Sequence, residues 1–182
     1  MFRTLGLLST VLFLVAGVIL CVISYRNSIT PEGIIVHHAA LPTKLQGHTV
    51  DAETIDHLHE QRGYGAFYWG RVYHGGYHFI ILPDGTIQQG RPEHCRGSHA
   101  AGYDSFLGIC LIGNFSAHSN PNGDRGLPEP TAAQLQALTA LVKRLRESYN
   151  IPLDRIRRHS DVNPRTECPG DRFSLQQLLD RF

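Results

Sequence analysis

Three residues far apart in the chain carry side chains that could hold one metal ion. His37 stands in the apolar run Gly33-Ile-Ile-Val-His-His, His159 in Ile156-Arg-Arg-His-Ser-Asp, and Cys168 in Thr166-Glu-Cys-Pro-Gly. Two imidazoles and a thiolate suit a tetrahedral Zn2+, and three protein ligands leave a fourth position for water, the arrangement of a catalytic rather than a structural site. The spacing is not one of the paired two-by-two ligand patterns. Most of the 11 histidines must be ordinary polar residues, so on the residues alone a metal centre competes with two unrelated histidines and a structural thiol. No His-Glu-x-x-His motif is present to supply a glutamate base.

Bringing three side chains to one point needs rigid elements beneath them. Ile34 to His38 reads as a fully buried strand that holds His37 at its end, and Leu153 to Arg158 reads as another short strand leading into His159. Pro169-Gly170 forces a turn that can aim the Cys168 thiolate back at the metal. Asp51 to Arg62 fits an amphipathic helix with Asp51 as N-cap and Ile55 and Leu58 on one face. His57 and His59 lie two apart on it, point to different sides, and make poor co-ligands. Tyr77 to Leu82, Pro83-Asp84-Gly85 and Thr86 to Gln89 read as a β-hairpin, with Asp-Gly supplying the positive φ of its turn. Gly108 to Gly113 reads as a further strand, and residues 116–130, rich in Asn, Gly and Pro, as a surface loop. Thr131-x-x-Gln134 is a capping box that opens a helix with the core stripe Leu135, Leu138, Val142 and Leu145, and Ser174-x-x-Gln177 caps a last helix. Strands alternating with helices predict an α/β domain on one central sheet.

At 182 residues and 42% hydrophobic content the chain can bury one good core. A net charge of +1 without a basic cluster gives no reason to expect nucleic acid as a partner, and a monomer is expected. Leu5 to Ser24 is almost wholly apolar and flanked by Arg3 and Arg26, long enough at roughly 20 residues to cross a bilayer. The expected organisation is therefore a tail at 1–4, a transmembrane anchor or signal segment at 5–25, a tether at 26–32 and a catalytic domain at 33–182. The expected location is the bacterial inner membrane, single-pass, with the domain facing the periplasm or cell wall. Secretion after signal cleavage is the alternative, and a lipoprotein signal at Cys21 is disfavoured by Leu20 before it. The four cysteines do not form a disulfide framework: Cys110 reads as a small core residue and Cys95 as a loop thiol.

Five blocks carry a family resemblance: Ile-Val-His37-His; Gly76-Tyr77-His-Phe-Ile-Ile with Asp84-Gly-Thr-Ile and Gly90-Arg; Gly97-Ser-His99-Ala-Ala-Gly-Tyr; Gly-Ile-Cys110-Leu-Ile-Gly; and His159 with Thr166-x-Cys168-Pro. In these, residues 33–182 resemble the zinc-dependent N-acetylmuramoyl-L-alanine amidases of type 2, the group of T7-type lysozymes and peptidoglycan recognition proteins. The resemblance implies a single domain with a central mixed β-sheet flanked by helices. It implies Zn2+ on His37, His159 and Cys168, Tyr77 as the catalytic tyrosine, and Thr166 near the reacting carbonyl. His38, on the opposite face of its strand, is the rival to His37 or a substrate contact; His99 either lines the substrate groove or fixes a loop; His78 is structural. The implied reaction is hydrolysis of the amide between N-acetylmuramic acid and L-alanine in peptidoglycan by a zinc-activated water. A non-catalytic peptidoglycan-binding receptor held at a membrane is the alternative. Ser105-Phe-Leu-Gly108 departs from the family's Asn-containing segment, and the residue pair that sorts stem peptides is not evident near Arg91 to His94, so stem preference stays open.

Overall fold

The computed structural model describes residues 2–182, with the backbone alone described for residues 2–11; Met1, at the start of the expected tail, lies outside the described residues. Two six-residue strands make the centre: β1 (Gly33–His38) and β8 (Phe106–Leu111) are buried at every position. Unbroken burial rather than alternation is the signature of parallel strands covered on both faces. Between them in sequence come the short antiparallel pair β2 (Lys44–Leu45) and β3 (His48–Thr49), helix α2 (Ala52–Glu60), a second pair β4 (Ala66–Tyr68) and β5 (Arg71–Tyr73), then β6 (Phe79–Ile81) and β7 (Ile87–Gln89). After β8 follow α3 (Ala132–Tyr149), a 3-10 turn over Leu153–Arg155, β9 (Ile156–Arg158), and the short helices α4 (His159–Val162) and α5 (Leu175–Leu179). The main sheet runs β7-β6-β8-β1-β9, parallel except for the β6–β7 hairpin at one edge, so the domain is mixed α/β as expected.

Strand alternation divides the sheet into a packed face and a working face. Ile34, Val36, Phe79, Ile81, Leu107, Ile109 and Leu111 join Leu138, Leu141, Val142 and Leu145 of α3 and Leu178 of α5 in one core. The α3 N-terminus is held by the expected capping box between Thr131 and Gln134. Gln134, itself fully buried, also donates to the carbonyls of Ile81 and Ile112, tying the helix to the sheet end. On the opposite face α2 buries Ile55 against Val50, Ile80 and Ile112. The positions of that face left to chemistry are His37, Gly108 and Cys110, with His37 and Cys110 directly paired across β1 and β8.

Three segments differ from the sequence expectation. Leu153 to Arg158 is not one strand: Arg155 N–H donates to Pro152 O and closes a turn, and pairing starts only at Ile156. The two small hairpins were not anticipated, because Gln46-Gly47 and Trp69-Gly70 supply two consecutive positive φ values from sequences where only the second residue favours it. Cys95 is a free thiol in an irregular segment, as expected, and it is buried.

The membrane expectation is corrected. Helix α1 (Phe2–Arg26) forms, but among the described residues no helix is long and apolar enough to cross a membrane. Its C-terminal end belongs to the domain. Ser24 is buried, its hydroxyl accepts from Trp69 N–H at 3.1 Å, and Asn27 donates to Phe67 O at 2.8 Å. The transmembrane anchor, the membrane as a partner and the single-pass inner-membrane location are therefore not supported. The expected tether is also no free linker, since Ile29 N–H donates to His94 O and Glu32 N–H to Ser105 O.

Candidate metal centre and active site

The three candidate ligands come from the C-terminal ends of neighbouring parallel strands and the loop that folds back over them. His37 is the fifth residue of β1, and His159 follows directly on β9, its strand neighbour. This is the sheet edge at which α/β domains place their sites. Cys168 is carried by a tight turn. Its carbonyl accepts from Ser160 N–H at 2.8 Å, Gly170 N–H donates to Glu167 O at 2.6 Å, and a cis bond precedes Pro169. Gly170 must be glycine: its φ is +99° and a Cβ there would sit 2.3 Å from the Phe115 carbonyl carbon.

One donor atom from each of His37, His159 and Cys168 lies within 4.8 Å of the others. His37 Nδ1 is 3.6 Å from Cys168 Sγ, and the rings of His37 and His159 are 4.6 Å apart. Ligands on one tetrahedral zinc stand roughly 3.3 to 3.6 Å apart at ordinary Zn–N and Zn–S lengths, so this donor set fits the ion with small adjustment of His159. Burial lowers the basicity of His37 well below the usual imidazole range, with His99 and His159 adding to the effect, and it lowers His159 too. Both therefore offer lone pairs at neutral pH. Burial pushes the Cys168 thiol up to about 12, although the His38 N–H directed at its sulfur, 3.4 Å away, works the other way. A thiol this reluctant to ionise alone ionises when a cation takes the proton's place.

Tyr77 stands beside the cluster, its ring 5.0 Å from that of His37. Burial, then the neighbouring Cys110 and Cys168 thiols, push its phenol well above the ordinary value, so it stays a proton-bearing donor. The segment before it is pinned at successive groups. Asp56 accepts from His74 and Gly75 N–H at 3.0 and 2.7 Å, His59 Nδ1 accepts from Gly76 N–H, and Arg91 donates through Nε to Gly75 O at 2.6 Å. Arg91 is fully buried and spends its other nitrogens on the carbonyls of Arg96 and Tyr73. The half-buried Thr166 accepts from Cys168 N–H at 3.2 Å through its hydroxyl, which places it at the base of the cysteine turn.

The structure thus gathers His37, His159, Cys168, Tyr77 and His99 on one side of the sheet. His99 Nδ1 is 2.9 Å from His37 Nε2. His38 is not among them. Its ring lies 5.7 Å from Phe115 on the packed face, its Nδ1 accepting from Phe115 N–H at 2.9 Å. His78 is saturated by backbone groups, Cys95 O and Gly108 N–H.

Comparison with known proteins bears on what this site is for. The family model described as N-acetylmuramoyl-L-alanine amidase matches residues 27–171, most of the chain. The chain belongs to this family. Among its relatives is the endolysin of Enterobacteria phage K11, 41% identical over 145 residues that cover 79% of this chain and 82% of that protein. The endolysin of Escherichia phage T7 is 33% identical over 162 residues, covering 87% and 92%. The solved structure of the N-acetylmuramoyl-L-alanine amidase LysC from Clostridium intestinale superposes with a TM-score of 0.66 at 34% identity, covering 84% of this chain and 85% of that one. These relatives are endolysins and an amidase.

Two features of this amidase site escaped the sequence reading. Cys110, read as a small core residue, is buried but faces the site, pairing with His37 in register and lying against the Tyr77 phenol. Alternation from Gly108 would have placed it there. Arg91 and Asp56, the clamps on the Tyr77 segment, gave no signal, since their partners are backbone groups up to 19 residues away.

Proposed function

We propose that this amidase works through a single zinc ion held by His37, through Nδ1, with His159 and Cys168, and that Tyr77 and Thr166 serve the reacting carbonyl. The reaction is the one its family performs on peptidoglycan, hydrolysis of the amide between N-acetylmuramic acid and L-alanine. The observation that carries the metal reading is the convergence of two imidazoles and one thiol, with donor atoms within 4.8 Å of one another, beside a buried tyrosine.

When bound, the ion supplies Lewis acidity that polarises a carbonyl and brings the pKa of water from 15.7 toward about 7. The chain does the rest. Two neutral imidazoles and one ionised sulfur fix the donor geometry with one position left over for the reactants. Tyr77, kept protonated, donates a hydrogen bond to the carbonyl oxygen as negative charge builds on it; a preorganised donor of this kind is worth about 10²- to 10³-fold in rate. Thr166 accepts from the cysteine turn and keeps its hydroxyl proton, which can be given to the same carbonyl. The clamps on residues 74–76 keep the phenol at its station. Incubating purified peptidoglycan with the protein and reading the products by mass spectrometry tests the reaction. Stem peptides with a free L-alanine amine are expected, and their absence with zinc supplied rejects the assignment.

A further inference from the structure

Resting on the zinc reading above, we propose that His99 is a positioning residue that locks His37 in the tautomer whose bare Nδ1 faces the metal position. The argument is an accounting of protons along one line of groups. Phe106 O is a carbonyl and can only accept; His99 Nε2 lies 2.8 Å from it and must therefore carry the proton. In a neutral imidazole the other nitrogen is then an acceptor, and His99 Nδ1 lies 2.9 Å from His37 Nε2. His37 must donate there, which strips Nδ1 of its proton and turns the lone pair toward Cys168 Sγ, 3.6 Å away. One backbone carbonyl thus decides, through two rings, which nitrogen of His37 is free for a metal. Both rings are buried, His37 at 1% and His99 at 8% exposure, the setting in which imidazoles stay neutral.

The backbone is shaped to keep the His99 ring in this line. A Cβ on Gly108 would stand 2.5 Å from His99 Cδ2, and one on Gly97 would stand 2.7 Å from the same atom. Both distances are too short for any real side chain, so two glycines, one in the central strand and one in the preceding loop, form the slot in which the ring lies. The ring also stacks beside Tyr77, with centroids 6.3 Å apart at 27°, so its displacement would reach the phenol as well. Outer partners of metal-ligating histidines typically hold 10- to 100-fold of metal affinity.

The test combines a spectroscopic and a binding readout. Nitrogen-15 NMR of the metal-free wild-type protein is expected to show His37 protonated at Nε2 and unprotonated at Nδ1. Zinc affinity, measured by competition with a chromogenic chelator, is expected to fall 10- to 100-fold in H99L, which has no acceptor, and in G108A, which pushes the ring from its slot. H99Q, whose amide can accept from His37 and donate to Phe106 O, is expected to recover most of the loss. A wild-type His37 protonated at Nδ1, or a folded H99L that binds zinc as tightly as wild type, overturns the proposal. Should neither variant fold, the wild-type tautomer alone decides. Failure of the zinc reading is separately visible, since the wild-type protein itself would then not compete for zinc, and the lock would lose its purpose whichever tautomer is found.

Discussion

Acid should unfold the metal-free protein unusually early, because five buried histidines use ring nitrogens as acceptors or lie too deep to be charged. His38 accepts from Phe115 N–H, His59 from Gly76 N–H, His78 from Gly108 N–H and His99 from His37, so protonating any of them breaks a hydrogen bond as well as burying a charge. Burial is the leading cause in each case. It takes His38, His59 and His99 down to about 4 and His78 to about 3, from an ordinary value of 6.5, and lowers His37 well below that value too. Folded values below the unfolded one mean that the unfolded chain binds more protons under pH 6.5. This stability is therefore present above pH 6.5 and is lost as pH falls toward the folded values. Between pH 7 and pH 5 each of His38, His59, His78 and His99 costs about 1.8 kcal/mol by linkage, about 7 kcal/mol for these four, against a total of about 5 to 15 kcal/mol for an ordinary domain. Urea unfolding followed by circular dichroism at pH 7, 6 and 5, with a chelator present, measures it. A loss under about 2 kcal/mol across that range would show that these rings are not held neutral by the fold.

Further outcomes follow from the same site. Zinc binding should release about one proton between pH 7 and 8, from Cys168, because both histidine ligands are already neutral there; affinity should then rise about tenfold per pH unit, checked by calorimetry in buffers of different ionisation heat. Tyr77→Phe should lower kcat about 10²- to 10³-fold with zinc content unchanged, and unaltered turnover on peptidoglycan would remove Tyr77 from the reaction. Arg91→Met leaves the carbonyls of Gly75, Arg96 and Tyr73 without their donor and should cost about 2 to 4 kcal/mol in urea unfolding, with kcat falling more than KM rises.

The elements with strong local signals were legible in the sequence. β1, the β6–β7 hairpin, β8, and the capped helices α2, α3 and α5 lie where apolar runs and Asp51, Thr131 and Ser174 put them. Alternation along β1 also separates His37 from His38 onto opposite faces. What was not legible depends on groups without a local pattern. The β2–β3 and β4–β5 hairpins turn on Gln46 and Trp69 in a left-handed conformation that neither residue type favours. The clamps by Asp56 and Arg91 and the His99 line to Phe106 are made with backbone atoms, which every residue carries and which sequence therefore cannot single out. The membrane reading failed for a related reason: hydropathy alone hid that Ser24 and Asn27, at the end of the apolar segment, are bonded into the domain.

The central claim, a zinc ion on His37, His159 and Cys168 that drives amide cleavage, is met most directly by one measurement. Purified peptidoglycan is digested with protein stripped by a chelator and with the same protein reloaded with one equivalent of zinc, and the products are identified by mass spectrometry. The account predicts no release from the stripped protein and, after reloading, stem peptides beginning with L-alanine beside intact glycan strands. Equal release by both samples, or cuts within the glycan, would contradict it.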